Sequence, residues 1–269
     1  MSKHFKSVLF FWLLMQSLGF SQEAKIVTRT SKLMGSRFEI TLVTLQEEAN
    51  LHLDTAQKEI ERIERLISSW DPNSETSEIN RNAGIGPVKV SQELFGLIER
   101  CIQISKITQG AFDISYAAID PVWVFDGSMK TPPSPEQLQA SVAHINYKEI
   151  LLDAVNNTVF LPKKGMKIGF GAVGKGYAAD ATKKHLQSLG VQAGIINASG
   201  DLTTWGKKPD GTDWQVGISN PENPAKVFSW FPVKDAAVAT SGNYEKYVTL
   251  NGKRYSHIID PRNGMPVSG

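Results

Sequence analysis

The segment Gly169-Phe170-Gly171-Ala172-Val173-Gly174-Lys175-Gly176 restricts the fold of this 269-residue chain more than any other stretch. It stands between a short apolar stretch, residues 166–168, and a predicted helix over residues 177–189 that Gly190 closes. Backbone N–H groups and the helix dipole at the start of a helix favour an anionic phosphate. The segment therefore predicts a strand, a phosphate-binding glycine turn and a helix.

The local pattern of this turn leaves three other interpretations open. It matches the G-x-G-x-x-G spacing of dinucleotide-binding folds, but the preceding strand is short and Asn197 stands near the position of the expected ribose-binding acid. It also matches G-x-x-x-x-G-K of nucleoside triphosphatases, although Gly176 follows Lys175 where a Ser or Thr would contact magnesium. The third is a glycine-rich connection that serves only helix-to-sheet packing.

The N-terminal region has the pattern of a secretory signal. Lys3, His4 and Lys6 precede an apolar stretch over residues 8–18, and small residues follow at 19–21. We therefore expect a signal peptide over residues 1–21 and a mature domain over residues 22–269. Because no lipobox cysteine is present, we expect an exported, periplasmic protein that is soluble or peripheral to the membrane.

Composition restricts the partners. The chain has 29 Lys and Arg against 27 Asp and Glu, a formal net charge of +2, and no long basic run, so nucleic acid is not an expected ligand. The single cysteine, Cys101, recurs with apolar residues at helical spacing. We expect it to be an inert core thiol.

Hydrophobic periodicity predicts a mixed α/β fold with an antiparallel-rich sheet and packed helices. Residues 26–45 predict a hairpin that turns at residues 34–36, and the segment from Asp71 to Pro87 predicts a loop. Ser91 predicts the N-cap of a helix that stops at Gly110. Residues 193–259 predict mainly strands. A long helix before the loop carries an apolar stripe at steps of three and four: Leu53, Ala56, Ile60, Ile63, Ile67 and Trp70.

Six motifs follow one another along the chain, and together they resemble the ApbE family, the FAD:protein FMN transferases. They are Met34-Gly35-Ser36, Gly110-Ala111-Phe112-Asp113, residues 171–178 (GAVGKGYA), residues 197–201 (NASGD), Thr240-Ser241-Gly242 and residues 257–264 (HIIDPRNG). The resemblance covers about residue 30 to the end. It implies a two-subdomain fold with FAD in the groove between the subdomains and Mg²⁺ beside the pyrophosphate.

The resemblance also implies the site residues. Residues that would contact FAD are Met34, Trp70, Ala111, Phe112, Asp113, Lys175 and Ile258, and the Ala172 carbonyl would be a Mg²⁺ ligand. Apolar and aromatic side chains suit the flavin and adenine rings, whereas N–H groups and a lysine suit the pyrophosphate. Trp70 and Phe112 could instead be core residues, and Asp113 could cap a turn.

The implied reaction is attack by a threonine hydroxyl of an acceptor flavoprotein on the FMN-side phosphorus of FAD, with release of AMP. Positioning and Mg²⁺ would supply most of the catalysis. His257 is the candidate base because an imidazole takes up a proton near neutral pH, although it could merely order the turn through Asp260. The alternatives are a Mg²⁺-dependent FAD pyrophosphatase and a non-catalytic exported FAD-binding protein. The resemblance also allows the protein to be located peripherally, beside membrane redox complexes.

Two features depart from the family pattern. Gly169 stands where family members often carry an acidic residue, so one polar contact to FAD would be absent. The family also has a further C-terminal segment with a metal-binding aspartate and threonine, which does not occur in residues 1–269. We therefore expect a C-terminally incomplete domain whose metal site is also incomplete.

Overall fold

The computed structural model describes residues 23–220, 223–240 and 246–267. The predicted signal peptide and the motif residues Ser241 and Gly242 lie outside these residues. The largest sheet has five strands in the order β1-β2-β6-β7-β10, and all its neighbouring pairs are antiparallel. These strands are β1 (Lys25–Leu33), β2 (Ser36–Thr44), β6 (Ala193–Ala198), β7 (Asp201–Trp205) and β10 (Ala237–Val238).

Smaller sheets complete the strand content of the described residues. One has three strands in the order β3-β5-β4, and two are hairpins, β8–β9 and β11–β12. Their bounds are β3 (Val88–Lys89), β4 (Leu151–Asp153), β5 (Thr158–Phe160), β8 (Trp214–Asn220), β9 (Asn223–Val233), β11 (Tyr247–Leu250) and β12 (Lys253–Ser256). The expectation of strands in the C-terminal third is confirmed.

Five α-helices occur in the described ranges: α1 (Ala49–Ile67), α2 (Glu75–Arg81), α3 (Gln92–Ile107), α4 (Pro135–Ser141) and α5 (Gly174–Ser188). Two short 3-10 helices span Ile114–Ala118 and Tyr147–Glu149. Ser91 caps α3 as predicted, because its side chain accepts a hydrogen bond from the Leu94 N–H. No helix within the described ranges is long and apolar enough to cross a membrane.

The main core lies between the five-stranded sheet and the helices. Ile60 and Ile63 of α1 and Phe38 and Ile40 of β2 are fully buried in it. Cys101 is also buried there, and burial raises the pKa of its thiol to about 11, in keeping with an inert core thiol. A second, smaller cluster forms around Trp123, Leu138, Val248 and Leu250. Mixed helices and antiparallel sheets confirm the predicted fold class.

Three local predictions are wrong. Residues 166–168, which the sequence predicts to be a strand, belong to no strand, and the N–H and carbonyl of Ile168 bond to the Asn80 side chain instead. The apolar stripe of α1 does not include Trp70, because the helix ends at Ile67 and Ser68 has an extended ψ of 124°. Trp70 is 93% exposed and is therefore not a core residue. The predicted loop before Pro87 contains α2, which begins because the Ser74 side chain accepts a hydrogen bond from the Ser77 N–H.

Candidate functional site

The glycine turn ends in the first turn of α5. The Phe170 carbonyl accepts hydrogen bonds from the N–H groups of Val173 (3.0 Å) and Gly174 (2.6 Å), which turns the chain into the helix. No side chain caps α5, and no acceptor among the described residues pairs with the N–H groups of Lys175 and Gly176. The start of α5 therefore presents two N–H groups and the positive end of the helix dipole to a ligand.

Met34 lies against the start of this helix. A Cβ atom on Gly174 would lie 2.8 Å from Ile67 Cδ1 and 3.6 Å from Met34 Cε. Glycine at position 174 thus allows the end of α1 and the Met34 side chain to approach the helix N-terminus closely. The structure brings together the first predicted FAD contact and the predicted phosphate-binding turn.

Met34 also has an unusual backbone conformation. Met34 (φ 49°) and Gly35 (φ 69°) form the two-residue turn between β1 and β2, which confirms the predicted hairpin. The Met34 N–H donates a hydrogen bond to Glu64 Oε2 at 3.0 Å. A left-handed conformation costs a residue other than glycine about 1–2 kcal/mol, so packing against α1 and α5 must hold this methionine in place.

The segment before the glycine turn is held from two sides. The Asn80 side-chain amide accepts from the Ile168 N–H (2.8 Å) and donates to the Ile168 carbonyl (3.0 Å), while the Gly169 N–H donates to the Ile114 carbonyl (3.0 Å). A Cβ atom on Gly169 would lie 2.9 Å from the Ala117 Cβ. A larger side chain at position 169 would therefore have to displace the 3-10 helix that follows the Gly110–Asp113 motif.

Asp113 is buried, and its carboxylate accepts three hydrogen bonds within the chain. Its Oδ1 accepts hydrogen bonds from the Ser115 N–H (2.8 Å) and Oγ (2.6 Å), and its Oδ2 accepts from the Tyr147 N–H (3.1 Å). Asp113 thus caps the 3-10 helix. This agrees with the alternative prediction that Asp113 caps a turn. Ala111 is exposed, and Phe112 is half-buried against the main core.

The Gly110–Asp113 motif contacts the last motif of the chain. A Cβ atom on Gly110, which has a φ of 81°, would lie 3.7 Å from Cγ of Arg262. Arg262 forms a bidentate ion pair with Asp260, whose carboxyl pKa it holds below the ordinary value. The turn over residues 260–264 is further anchored because Trp123 Nε1 donates to the Gly264 carbonyl at 2.9 Å.

His257 precedes this turn and is half-buried. Its Nδ1 lies 3.0 Å from the Lys246 carbonyl, which also accepts from the His257 N–H at 3.0 Å. A carbonyl can only accept, so Nδ1 carries the hydrogen of this bond and Nε2 takes no part in it. Ile258 is half-buried, and its carbonyl accepts a hydrogen bond from the Val267 N–H.

A pocket of about 140 Å³ adjoins the glycine turn. Ala172, Asp180, Asp201 and residues 237–239 line it. No group of three or more His, Cys, Asp or Glu in the described ranges could hold a metal by itself. The Asp180 and Asp201 carboxylates that line the pocket are oxygen donors of the type that Mg²⁺ prefers, and Mg²⁺ usually keeps several waters alongside substrate phosphates.

Trp70 and Lys175 project from the elements that meet at this site. The Trp70 N–H donates to Ser68 Oγ (3.2 Å), and a Cβ atom on Gly169 would lie 3.8 Å from Ser69 Oγ, so the loop that carries the exposed Trp70 passes next to residue 169. Lys175 is half-buried, and no carboxylate in the described residues pairs with its ammonium. Sequence reasoning missed Asn80, Glu64 and Glu93, which accepts a hydrogen bond from the Tyr177 hydroxyl. A polar residue on an amphipathic helix gives the same sequence pattern whether or not it makes such contacts, so the pattern could not predict them.

These observations define a mixed α/β protein with a helix N-terminus whose free N–H groups suit an anion and against which the Met34 side chain packs. The sequence model of the ApbE family matches residues 34–269, so the chain belongs to the ApbE family.

Similar proteins agree with this assignment. The chain is 32% identical over 209 residues to an FAD:protein FMN transferase of Klebsiella pneumoniae. The alignment covers 77% of this chain and 64% of that protein. It is 27% identical to one of Haemophilus influenzae, with 91% of this chain and 74% of that protein covered. The chain thus spans less than two thirds of the length of the first of these.

Solved structures show the same fold. An ApbE protein of Thermotoga maritima superposes with a TM-score of 0.80 at 29% identity, covering 91% of this chain and 79% of that one. The flavinyl transferase ApbE of Pseudomonas stutzeri, in its apo form, gives a TM-score of 0.77 at 25% identity, covering 91% and 77%.

Proposed function

We propose that this protein transfers FMN from FAD to a threonine hydroxyl of an acceptor flavoprotein and releases AMP. The observation that carries the proposal is the start of α5, where unpaired N–H groups and Lys175 lie beside the apolar Met34 side chain. A pyrophosphate requires the first set of groups and a flavin or adenine ring the second. The Klebsiella and Haemophilus relatives are FAD:protein FMN transferases, which supports the same reaction here.

The proposed residue roles are those that the family resemblance implies, and the free N–H groups of α5 beside Met34 support them. Lys175 and the N–H groups of α5 bind the pyrophosphate oxygens, and Met34 and Trp70 offer surfaces to the rings. Ala111, Phe112 and Ile258 add apolar contacts. Asp113 supports this wall of the site by capping the 3-10 helix, and any contact of its own with FAD would add to that role.

The proposed step forms one bond and breaks one. The threonine oxygen attacks the FMN-side phosphorus while the bond from that phosphorus to the bridging oxygen breaks, and this oxygen leaves on AMP. His257 takes the hydroxyl proton at Nε2, and the Lys246 carbonyl keeps the ring oriented through Nδ1. Mg²⁺, when bound by the Ala172 carbonyl and pyrophosphate oxygens, would neutralise the charge that develops on the leaving group.

Mass spectrometry tests the reaction. The protein is incubated with FAD, Mg²⁺ and a candidate flavoprotein, with chelator in a parallel sample. We expect the acceptor to gain the mass of FMN less one water, to lose this gain on Thr→Val substitution at the modified site, and to gain nothing in chelator. An unchanged acceptor mass while AMP and free FMN accumulate would establish the pyrophosphatase instead. Binding of FAD without either product would establish a flavin-binding protein.

We also propose that the protein is exported and acts in the periplasm, where it could serve redox complexes peripherally. The basic, apolar and small residues of positions 1–21 support export. Cell fractionation tests this proposal. We expect the mature chain in the periplasmic fraction, and replacement of the apolar residues 8–18 by polar ones should retain it in the cytoplasm.

A further inference from the structure

Three helices meet in a polar network beside the glycine turn. The Tyr177 hydroxyl, on α5, donates to Glu93 Oε1 on α3 at 2.8 Å. Arg62, on α1, donates to both oxygens of Glu93 at 2.7 and 2.9 Å. The same guanidinium donates to both oxygens of Glu59 at 2.9 and 2.8 Å. Four side chains from three helices thus fix one another in a single geometry.

The charges in this network keep it intact near neutral pH. Hydrogen bonds to Glu59 and Glu93 raise the pKa of Arg62, and the bonds from Arg62 and Tyr177 lower the pKa of Glu93. Burial, followed by the bond to Glu93, raises the pKa of Tyr177, so its hydroxyl keeps the proton that it donates. The Tyr177–Glu93 bond is therefore a charge-assisted hydrogen bond.

The network adds little to stability but restricts geometry. The Arg62 and Glu93 side chains are 43% and 32% exposed, and ion pairs at such positions contribute little to folding. However, bidentate pairing fixes the relative orientation of the two helices that carry the partners. What the network sets is the position of the first turn of α5 relative to α1 and α3.

Both ends of the network lie on the helix turns that carry residues of the proposed FAD site. Tyr177 lies two residues after Lys175 and belongs to the first turn of α5, which presents N–H groups to the pyrophosphate. Arg62 lies two residues before Glu64, which holds the Met34 N–H. The network therefore links the phosphate side of the site to its ring side through packed helices.

We infer that Tyr177 is a positioning residue for FAD, which acts through Glu93 and Arg62 to hold the phosphate-binding turn of α5 at a fixed distance from Met34. The inference rests on the proposed function. Tyr177 touches no reacting atom in this role. Its hydroxyl sets where the N–H groups of Lys175 and Gly176 lie before FAD arrives, which reduces the reorganisation that binding requires.

Substitution of Tyr177 by phenylalanine tests the inference, because it removes only the hydroxyl. FAD binding is followed by quenching of flavin fluorescence without an acceptor. We expect Tyr177→Phe to weaken FAD affinity by about 10-fold while the urea midpoint stays near that of the wild type. Tyr255→Phe is the matched control. Tyr255 packs on Trp123 in the smaller cluster, and its loss of a hydroxyl should leave FAD affinity unchanged.

A double-mutant cycle shows whether the network acts as a unit. Glu93→Ala should weaken FAD binding as much as Tyr177→Phe does, and the double variant should weaken it no further. In the transfer assay, both variants should raise KM for FAD and leave KM for the acceptor unchanged. Additive losses, or wild-type affinity in Tyr177→Phe, would overturn the inference.

The outcomes also separate this inference from the proposed function. A wild-type chain that binds FAD but modifies no acceptor refutes the transfer reaction, while the affinities of the variants still test Tyr177. Weaker binding that only follows a loss of folded protein, seen as parallel falls in urea midpoint and affinity, shows a purely structural tyrosine and overturns the inference. A wild-type chain that binds no FAD overturns both.

Discussion

Replacement of Asp113 by alanine distinguishes its two roles, as a cap within the chain and as a ligand of FAD. The substitution leaves two buried N–H groups, those of Ser115 and Tyr147, without an acceptor. Each such group costs about 1–3 kcal/mol. We therefore expect the free energy of unfolding to fall by about 3 kcal/mol, which is about 6–12 °C in Tm for a chain of this size.

Urea unfolding, followed by tryptophan fluorescence, measures this loss. Asp113→Asn should lose roughly half as much, because its amide oxygen can still accept from Ser115 while its NH₂ group faces the Tyr147 N–H. Asp210→Ala is the matched control. Asp210 makes the same two bonds, to the Thr212 N–H and Oγ1, but on the surface, so its loss should hardly change the unfolding curve.

One result would refute the reasoning. If Asp113→Ala unfolds at the same urea concentration as the wild type but no longer binds FAD, the carboxylate is a ligand and its bonds within the chain are incidental. If stability falls as expected and the folded fraction binds FAD with wild-type affinity, Asp113 acts only through the 3-10 helix that it caps.

Three further predictions concern charge and proton transfer. His257→Ala should lower the transfer rate by about 100-fold and leave FAD affinity unchanged, as seen by stopped assays and fluorescence titration; an unaltered rate would exclude the base role. Lys175→Gln should weaken FAD binding by about 10-fold at low salt, and less at high salt, whereas the exposed Lys184→Gln should not. Arg262 lowers the pKa of Asp260 below its ordinary 3.8 in the folded state. The ion pair therefore stabilises the folded state in full above pH 3.8, and this stabilisation is lost as the pH falls through the lowered pKa. Unfolding curves of the wild type and Arg262→Gln should therefore differ at pH 7 and converge in acid, and a gap of constant size would contradict the assignment.

The sequence predicts the elements that local patterns specify. The glycine turn, the hairpin at Met34 and the cap at Ser91 are each specified by a few neighbouring residues, and the structure confirms them. The start of α5 differs slightly from the prediction. The helix begins at Gly174 rather than Tyr177, because the Phe170 carbonyl accepts a hydrogen bond from the Gly174 N–H.

Other features depend on contacts that no local pattern encodes. Trp70 continues the apolar spacing of α1, but Ser68 ends the helix and turns the tryptophan to solvent. The contact of Gly110 with Arg262 joins residues far apart in sequence. The same is true of the Glu93–Tyr177 bond, since both residues lie on helices whose relative position only the packed core determines.

The two hydrogen bonds between the Asn80 side chain and the Ile168 backbone affect the order of folding. They join residues 88 positions apart, so the chain must close a long loop before the phosphate-binding turn can reach its final place. Helices α1 and α3 rely on short-range bonds and can form early, but the glycine turn cannot reach its final position within any local fragment. A nascent chain would gain the flavin affinity proposed above only after residue 168 has emerged and docked against Asn80.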